Sequence, residues 1–570
     1  MQQSQNFLSP GGLAHHGPIA GIAARGGHIA TAGYDNQVIL WEAASGKALA
    51  RSLHDHLVNS CEFSPDGSLL VSASSDYSAR IWEVPSMRLK VALTGHADDV
   101  DMAAFSPDGR RVATCALDRT LRIFDLEGRC LGVLSGHTGN IISLAWRGDG
   151  GRIVSSSVDG TVREWDPETG AALACHDLGG VRTDTVQIDS GGRIIAGDDR
   201  GRIVLIENGG MRFHDAHRAG IKKLVFDAHS GILATLSYDR TMAIWELRGP
   251  QPEEKARTTL PAPVWARAAA LCGESRIAVG TFGSRYGSYD WKLDAWCLGD
   301  VVADRSLNAV AVDGDEVYAI GDAGMLFRNG MPRRSIGSLC NFLLPFGPML
   351  LTGGQLGGLY DAGSGRLLHA HHSPLNCAAA FERSGAMHAA VGTYTGEVLV
   401  FAHDADRLVL VDVLKPYENA VKGIAFSNGK LFSVCASTQV AWHDAGDFRL
   451  IRTVRHAHDR IANACCPAGD GFASVGRDRV LRLWTSDADE AYPTPHPNSV
   501  KCIASSPDRE TLLTGAYTGT LAGFDMATRS WHPLTRVTAS GISSIAYDRR
   551  SGGFIASAYD GRLYPARMTS

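Results

Sequence analysis

His, Ser or Thr, and Asp recur together along this 570-residue chain, at a spacing that could serve nucleophilic catalysis. In the clearest copies the His lies 22 residues before the Asp, the Ser or Thr four before it, and a Trp six after it. A hydrolytic site needs one activated hydroxyl, its base and an oxyanion site, whereas this set recurs several times. Because each buried polar group in the set gains a partner, we interpret the set as a structural relay and predict no catalytic residue. The copies are His54, Ser72, Asp76 and Trp82; His137, Ser155, Asp159 and Trp165; His217, Thr235, Asp239 and Trp245.

Three clusters of histidines raise the alternative of a metal site. The clusters are His54/His56, His369/His371/His372 and His456/His458. The same spacing makes three further histidines structural: His15, His96 and His456. A zinc site needs three or four ligands, and the adjacent Cys465 and Cys466 lack the spacing of separated Cys/His pairs. The sequence therefore predicts no metal and no cofactor, with the cluster at 369–372 as the strongest alternative.

The relay set belongs to a longer repeat of about 40 residues, which is the period of a propeller blade. Short runs rich in Val, Ile and Ala alternate apolar and polar residues between Gly-containing turns, as half-buried strands do. Four-stranded units of this length close radially and so protect their edge strands. We count seven copies in each half, the second half being more eroded. The prediction is an all-β fold of two tandem seven-bladed β-propellers (14 blades), residues 1–300 and 301–570.

Several short motifs resemble those of the WD40-repeat propellers. They are the SPDG turns Ser64–Gly67 and Ser106–Gly109, the pairs Gly95-His96 and Gly136-His137, and the Trp that ends each repeat. The resemblance implies that the relay joins the inner and outer strands of a blade. Two rings also resemble the actin-interacting double propellers, but no residue-level match carries actin binding over. The last blade ends after its third strand, so its outer strand is expected from Phe7-Leu8 or, alternatively, from Val301-Val302.

Composition limits the classes of partner and compartment. The net charge of −5 gives no global reason to expect nucleic acid, and the basic stretches Arg333-Arg334 and Arg477–Arg482 are too short for a nucleic-acid surface. No apolar run is long enough for a transmembrane helix, and no signal peptide pattern is present. The 12 scattered cysteines fit free thiols in a reducing compartment, so we predict a cytoplasmic protein. The excess of Arg over Lys, with abundant Ala and Gly, is typical of a GC-rich bacterial genome.

The residue before each turn Asp gives the candidate partner-binding surface. In WD40 propellers this position lies on the narrower, ligand-facing surface near the central channel. In the first ring these residues are Tyr34, Ser75, Leu117, Val158, Asp198, Tyr238 and Phe282, and in the second ring Tyr394, Arg477, Tyr517 and Tyr559. Tyr and Arg are enriched at interaction hot spots, so the upper face of the second ring is the leading candidate. The alternative is that these tyrosines stack on one another.

Three other segments could contact partners. Phe282, Tyr286, Tyr289, Trp291 and Trp296 form an aromatic stretch that is either an interaction loop or the packing between the rings. The segments Gly249–Pro263 and Asp487–Pro497 are polar and Pro-rich, which predicts long exposed loops.

The sequence favours a non-enzymatic scaffold that assembles partner proteins, since loops on a rigid repeat frame can vary. The alternative from another class is an enzyme or small-molecule receptor that uses a propeller channel. A deep polar cavity with a perturbed titratable group would favour that alternative. The resemblance also permits a subunit of a bacterial ATPase-, signalling- or defence-associated complex.

Overall fold

The computed structural model describes residues 13–189, 191–249, 251–302, 306–404, 407–436, 438–485 and 489–566. The chain divides into two compact units, Met1–Asp304 and Arg305–Ser570. All regular elements of the described residues are β-strands, arranged as seven antiparallel sheets in each unit. The predicted all-β fold of two tandem seven-bladed propellers is confirmed. Within the described parts of the chain, no helix has the length and apolar character needed to cross a membrane.

Each sheet of the first unit contains four strands that pair in chain order. Blades 1 to 7 consist of β1 (Ile19–Arg25), β2 (His28–Gly33), β3 (Gln37–Glu42), β4 (Ala48–Leu53); β5 (Val58–Phe63), β6 (Leu69–Ser74), β7 (Ala79–Glu83), β8 (Arg88–Leu93); β9 (Val100–Phe105), β10 (Arg111–Ala116), β11 (Thr120–Asp125), β12 (Cys130–Ser135); β13 (Ile141–Trp146), β14 (Ile153–Ser157), β15 (Thr161–Trp165), β16 (Ala172–Asp177); β17 (Thr183–Ile188), β18 (Ile194–Asp198), β19 (Arg202–Glu207), β20 (Gly210–Asp215); β21 (Ile221–Asp227), β22 (Ile232–Ser237), β23 (Thr241–Glu246), β24 (Glu253–Thr259); and β25 (Val264–Leu271), β26 (Arg276–Thr281), β27 (Gly287–Asp290), β28 (Ala295–Cys297).

The second unit repeats this plan with differences in its last two blades. Blades 8 to 14 consist of β29 (Leu307–Asp313), β30 (Glu316–Gly321), β31 (Met325–Arg328), β32 (Met331–Ser335); β33 (Cys340–Phe346), β34 (Met349–Gly354), β35 (Gly358–Asp361), β36 (Leu367–Ala370); β37 (Leu375–Arg383), β38 (Ala386–Thr393), β39 (Val398–Asp404), β40 (Arg407–Leu414); β41 (Val421–Ser427), β42 (Lys430–Cys435), β43 (Val440–Asp444), β44 (Leu450–Val454); β45 (Ala462–Ala468), β46 (Gly471–Gly476), β47 (Val480–Trp484), β48 (Asp489–Pro493); β49 (Val500–Ser505), β50 (Thr511–Ala516), β51 (Thr520–Asp525), β52 (Ser530–Trp531), β53 (Thr535–Arg536); and β54 (Ile542–Asp548), β55 (Gly553–Ala558), β56 (Leu563–Ala566).

The first strand of each blade is the innermost and packs against the first strands of its neighbours. The hydrophobic core therefore lies between consecutive blades. At the ends of the first unit, Ile22 and Trp41 of blade 1 pack with Ala268 and Ala278 of blade 7. In the second unit β29 packs against β54, and the Ser306 hydroxyl donates to the Tyr559 carbonyl at 2.9 Å. In both units the first and last blades thus contact each other.

The SPDG segments form tight turns. The Ser64 hydroxyl donates to the Asp66 carboxylate at 2.6 Å, and Gly67 has φ of 75°, a conformation that glycine adopts without strain. Ser106 and Asp108 repeat the 2.6 Å contact one blade later. These local turns connect the first and second strands of their blades.

Two predicted loops are wrong in part, because they contain the outer strands of their blades. Residues Glu253–Thr259 form β24 and Asp489–Pro493 form β48. An outer strand pairs on one side only and meets solvent, so it can consist of polar residues and lacks an apolar pattern.

The last blade has three strands among the described residues. The Phe7-Leu8 candidate for its missing strand lies outside the described residues. The alternative donor, Val301-Val302, is wrong: the Ser284 amide of blade 7 donates to the Val302 carbonyl at 2.9 Å, within the first unit.

Candidate partner-binding site

The relay of blade 2 links the loop before the blade to its second and third strands. His54 Nδ1 lies 2.9 Å from Asp76 Oδ2, and His54 Nε2 lies 2.7 Å from Ser72 Oγ. Trp82 Nε1 donates to the same Ser72 hydroxyl at 2.7 Å. Burial opposes ionisation of Asp76, but the hydrogen bond and charge of His54 hold its pKa well below the ordinary value. The four side chains satisfy one another's polar groups inside the blade.

Blade 4 contains the same arrangement, and blade 6 contains a variant in which His217 Nδ1 bonds the Thr241 hydroxyl at 2.7 Å. His137 lies 2.8 Å from both Asp159 and Ser155, and Trp165 donates to Ser155 at 2.8 Å. In blade 6 the corresponding contacts join His217 to Thr235 at 2.7 Å and to Asp239 at 3.4 Å, and Trp245 to Thr235 at 2.9 Å. His15 and His96 occupy this position in blades 1 and 3, where they contact Asp35 at 3.0 Å and Asp118 at 2.8 Å.

The assignment of His456 to a relay is wrong. His458 takes that place, with its Nδ1 2.9 Å from Asp478 and its Nε2 2.8 Å from Ser474. His458 is buried, whereas His456 is exposed. His458 and Asp478 are 20 residues apart, as are His15 and Asp35 in blade 1, because the segment between the two relay positions is two residues shorter than in blade 2.

Two relay residues of the second unit, His496 and Tyr417, were not predicted from the sequence. His496 is buried and bonds Thr514 at 2.9 Å and Thr520 at 2.7 Å, while Thr518 stands where other blades have Asp. Without that carboxylate, burial lowers the pKa of His496 to about 4. In blade 11 the Tyr417 hydroxyl donates to the Ser433 carbonyl at 2.7 Å. The spacing of His496 to Thr514, which equals that of His54 to Ser72, was the available signal.

One backbone hydrogen bond places the candidate partner-binding residues at a common edge. In every blade the candidate residue lies in the turn after the second strand, and its amide donates to the carbonyl of the residue just before the innermost strand. Examples are Tyr394 to Pro374 at 3.0 Å and Arg477 to Ile461 at 2.9 Å. Asp199 makes this bond in blade 5, so the assignment of Asp198 to the position is wrong by one residue. The first-unit mouth comprises Tyr34, Ser75, Leu117, Val158, Asp199, Tyr238 and Phe282, and the second-unit mouth Asp322, Gln355, Tyr394, Ala436, Arg477, Tyr517 and Tyr559.

Three of the seven residues of the second-unit mouth are tyrosines. The rings of Tyr517 and Tyr559 stack with centroids 6.4 Å apart, and Lys422 Nζ lies 5.3 Å from the Tyr394 ring centroid. Burial, with the nearby Tyr517 and Asp322, raises the pKa of Tyr559 well above its ordinary value. Tyr394, Tyr517 and Tyr559 are all half-buried, as is Arg477. Mutual stacking therefore involves Tyr517 and Tyr559, and both residues are half-buried.

Four segments of the chain match the sequence model described as "WD domain, G-beta repeat": residues 47–83, 87–125, 128–166 and 492–525. The chain contains WD40 repeats. Each matched segment begins near the outer strand of one blade and ends with the third strand of the next, as 47–83 runs from β4 to β7. The sequence repeat is thus offset by one strand from the structural blade. WD40 propellers are generally platforms for protein interaction and generally not enzymes.

The aromatic residues of the first-unit mouth pack against neighbouring side chains. Tyr238 and Phe282 are each 8% exposed. Arg267 Nε donates to the Tyr238 hydroxyl at 2.8 Å, and Trp265 lies between Phe282 and Tyr34 at centroid distances of 5.5 and 5.3 Å. The aromatic groups predicted to meet a partner here are instead in contact with one another.

The aromatic stretch of blade 7 is mostly interior packing of the first unit. Tyr286 is 9% exposed and meets Trp41 of blade 1 at 5.7 Å, so its assignment to a partner surface is wrong. Tyr289 is 1% exposed and packs on Trp296 at 4.7 Å. Trp291 is half-buried in the turn between β27 and β28. The interpretation of this stretch as an interaction loop therefore does not describe Tyr286 and Tyr289.

One group of side chains in the described part of the WD40 chain has the composition and proximity of a metal site: His371, His372 and Glu397. His369 lies apart from it and packs on Phe401 at 5.2 Å. The sequence comparison missed Glu397, which is distant along the chain. None of the twelve cysteines, all of which lie among the described residues, forms a disulfide.

One acidic residue, Glu62, lies on the innermost strand of blade 2. Glu62 Oε1 accepts the amide of Phe105, on the neighbouring blade, at 3.0 Å. Burial raises the pKa of Glu62 to about 7, although Phe105 and the positive charge of Lys223 favour its ionised form. A folded-state pKa above the ordinary 4.5 means that stability falls as pH rises from about 4.5 to 7.

Replacing Glu62 with Gln is expected to stabilise the protein by about 2 kcal/mol at pH 8, because the uncharged amide still accepts the Phe105 hydrogen bond. Below pH 4.5 the two proteins are expected to have equal stability, since Glu62 is then protonated in both states. Urea denaturation of both proteins across this pH range measures the difference. A constant difference at all pH values would show that the charge of Glu62 is not its cause.

Proposed function

We propose that this WD40 protein is a non-enzymatic scaffold that holds a partner protein at the second-unit mouth. The observation that carries the proposal is the clustering there of half-buried Tyr394, Tyr517, Tyr559 and Arg477 on four turns that point to one edge. Large rigid aromatic rings and Arg are the side chains enriched at interaction hot spots. A turn on a rigid blade has no packing need for them.

The turns that present two of these tyrosines differ from relay turns. Thr395 follows Tyr394 and Thr518 follows Tyr517, where relay blades have Asp. A Thr cannot hold a His by a charge-assisted bond as Asp76 holds His54. These two turns therefore lack the relay carboxylate, and partner binding is the role that we assign to their Tyr side chains.

Charge at the second-unit mouth indicates the chemistry of the partner. Arg477 belongs to the mouth, and Lys422 and Lys501 are the second residues of the innermost strands of blades 11 and 13. Asp322 is the acidic member of the mouth. We infer a partner segment that places apolar side chains among the tyrosines and an acidic group at Arg477. The first-unit mouth is a weaker candidate, because its Tyr238 and Phe282 are buried.

The test is affinity purification with mass spectrometry from the native host, comparing the wild type with a Tyr394/Tyr517/Tyr559→Ala variant. Loss of each anchor is expected to cost about 2 kcal/mol, or about thirtyfold in affinity, so the triple variant loses its partner. A matched control is Met331/Leu367/Leu450→Ala, which removes exposed apolar side chains from outer strands of the same unit. Thermal unfolding verifies that both variants keep the wild-type fold.

A stoichiometric partner that binds the wild type and the control but not the triple variant would support the proposal. Partners that all three proteins retain would contradict the second-unit mouth as the site. Replacing Arg477 with Glu is expected to lower the affinity for the partner about tenfold or more. That loss would identify Arg477 as the residue that contacts an acidic group of the partner.

We also propose a cellular compartment for the protein and a kind of complex to which it belongs. Free thiols at exposed Cys130, Cys175 and Cys297 are compatible with a reducing, cytoplasmic environment. A bacterial ATPase-, signalling- or defence-associated complex remains a proposed setting. The second candidate function is a small-molecule receptor that uses a propeller channel. The raised pKa of Glu62 on an innermost strand favours it.

A further inference from the structure

Blade 10 retains a relay histidine after the rest of its relay has been replaced. The amide of His371 donates to the Gly357 carbonyl at 2.9 Å, as the amide of His54 donates to Asn36 at 2.9 Å in blade 2. The Ser position of the relay holds Val391 and the Asp position holds Thr395. His371 is therefore at the relay position but has neither of the partners that make the relay structural.

A different carboxylate meets this histidine. Glu397 lies two residues after Thr395, where relay blades have a hydroxyl such as Thr161. His371 Nε2 is 3.1 Å from Glu397 Oε2, and the two side chains are only 10% and 14% exposed. The ring of the next residue, His372, lies with its centroid 4.1 Å from that of His371. One ligand atom from each of the three residues lies within 4.8 Å of the others.

We propose that His371, His372 and Glu397 form a Zn²⁺-binding site in which the fourth coordination position is open to water. Two His nitrogens and one carboxylate are a ligand set that zinc accepts. Tetrahedral ligands about 2.0–2.1 Å from zinc lie roughly 3.3 Å apart, close to the observed separation of Nε2 and Oε2. The remaining adjustment is a side-chain rotation of His372, which lies in the connection between β36 and β37. This inference is independent of the proposed partner-binding function.

Neighbouring groups can orient the ligands, as outer-shell groups do in metal sites. Thr395 Oγ1 donates to Glu397 Oε2 at 2.9 Å. The Ser373 amide donates to His371 Nδ1 at 3.1 Å, so Nε2 carries the ring proton and donates it toward Glu397. Zinc binding at Nε2 displaces that proton, and a proton on Nδ1 can instead be donated to the Ser373 carbonyl, 3.2 Å away. The hydrogen bond from His371, against the opposing effect of burial, lowers the pKa of Glu397 to about 2, so the carboxylate is ionised at neutral pH.

One neighbour opposes the metal. Lys415 Nζ lies 3.4 Å from Glu397 Oε1, and its side chain is 72% exposed. Its positive charge competes with a cation for Glu397, but the long exposed side chain can move into solvent. Removal of this charge is expected to strengthen zinc binding, an effect in the opposite direction to that of ligand loss.

The experiment measures zinc binding to the full chain after treatment with a chelator. Equilibrium dialysis with metal analysis gives the stoichiometry, and competition with a chromophoric chelator gives the affinity. The wild type is expected to bind one Zn²⁺ at this site. His371→Ala and Glu397→Gln are expected to weaken that binding by about 100-fold or more, and Thr395→Val by about tenfold. Lys415→Met is expected to tighten it several-fold.

The matched control is His456→Ala, because His456 is an exposed histidine of the same unit outside the cluster, and its zinc affinity is expected to equal that of the wild type. Unchanged affinity in Glu397→Gln and His371→Ala, or no zinc bound by the wild type, would overturn the proposal. Zinc is also expected to raise the unfolding temperature of the wild type but not that of Glu397→Gln. This second measurement stands if His371→Ala fails to fold.

Discussion

Replacing His458 with Ala is expected to destabilise the second unit by about 3 kcal/mol, whereas the same replacement at His456 is expected to change stability by less than about 0.5 kcal/mol. His458 is 1% exposed and bonds both Ser474 and Asp478, which are themselves buried in the blade. Its loss leaves a buried hydroxyl and a buried carboxylate without their partner. His456 is exposed, so its side chain has little to lose.

Urea denaturation followed by tryptophan fluorescence measures this difference, because Trp484 donates to the Ser474 hydroxyl at 2.8 Å and reports on the same blade. His456→Ala serves as the control, since it removes the same chemical group two residues away. Equal stability of the two variants would contradict the assignment of the relay to His458. Greater destabilisation by His456→Ala would restore the assignment based on a 22-residue spacing.

Replacing Lys222 with Met is expected to destabilise the first unit by about 3 kcal/mol. Lys222 Nζ lies 2.9 Å from Asp184 Oδ2 and also contacts Asp199, and the side chain is only 4% exposed. Burial opposes its charge, but the two carboxylates raise the pKa of Lys222, so the ion pair persists at neutral pH. Without the ammonium group, the repulsion between the two buried carboxylates is no longer offset by Lys222. The positive charge of Arg267 still stabilises the ionised form of Asp184.

The adjacent lysine provides the matched control for this experiment. Burial lowers the pKa of Lys223, for which Glu62 is a neighbouring acid. Lys223→Met is therefore expected to change the free energy of unfolding by less than about 1 kcal/mol. Thermal and urea denaturation of both variants at pH 7 gives the comparison. Equal destabilisation by the two substitutions would indicate that loss of side-chain packing, and not loss of the ion pair, is responsible.

The number and type of blades followed from the sequence because the signal is local. Each copy places an apolar strand, a Gly-containing turn and a second strand within a short segment, as in LLTGAYTGTLAGF, which forms β50 and β51. The same locality located the relay of blade 2, whose four residues lie within 29 positions from His54 to Trp82. Such patterns need no information from distant parts of the chain.

Outer strands were missed because their environment imposes no pattern. In β24, the sequence EEKARTT is mostly exposed, and it pairs with β23 on one side only. A strand that buries neither face needs neither alternation nor apolar residues, so its polar sequence was read as a loop. The relay of blade 12 was shifted for a related reason: the connection before it is shorter, and a fixed spacing selects His456 over His458.

By itself the sequence determined the all-β fold, the seven-bladed plan of each unit and the relays whose copies share one spacing. Tertiary structure decided which conspicuous side chains remain available: Tyr286 is buried against Trp41, while Tyr394 stays half-exposed. It also brought Glu397 to His371, 26 residues apart in sequence, across the strands of blade 10. The physical reason is that the residues of one relay lie within a short segment at a fixed spacing, so the sequence shows them directly. The exposure of a side chain and the geometry of a ligand set depend instead on which distant strands pack together.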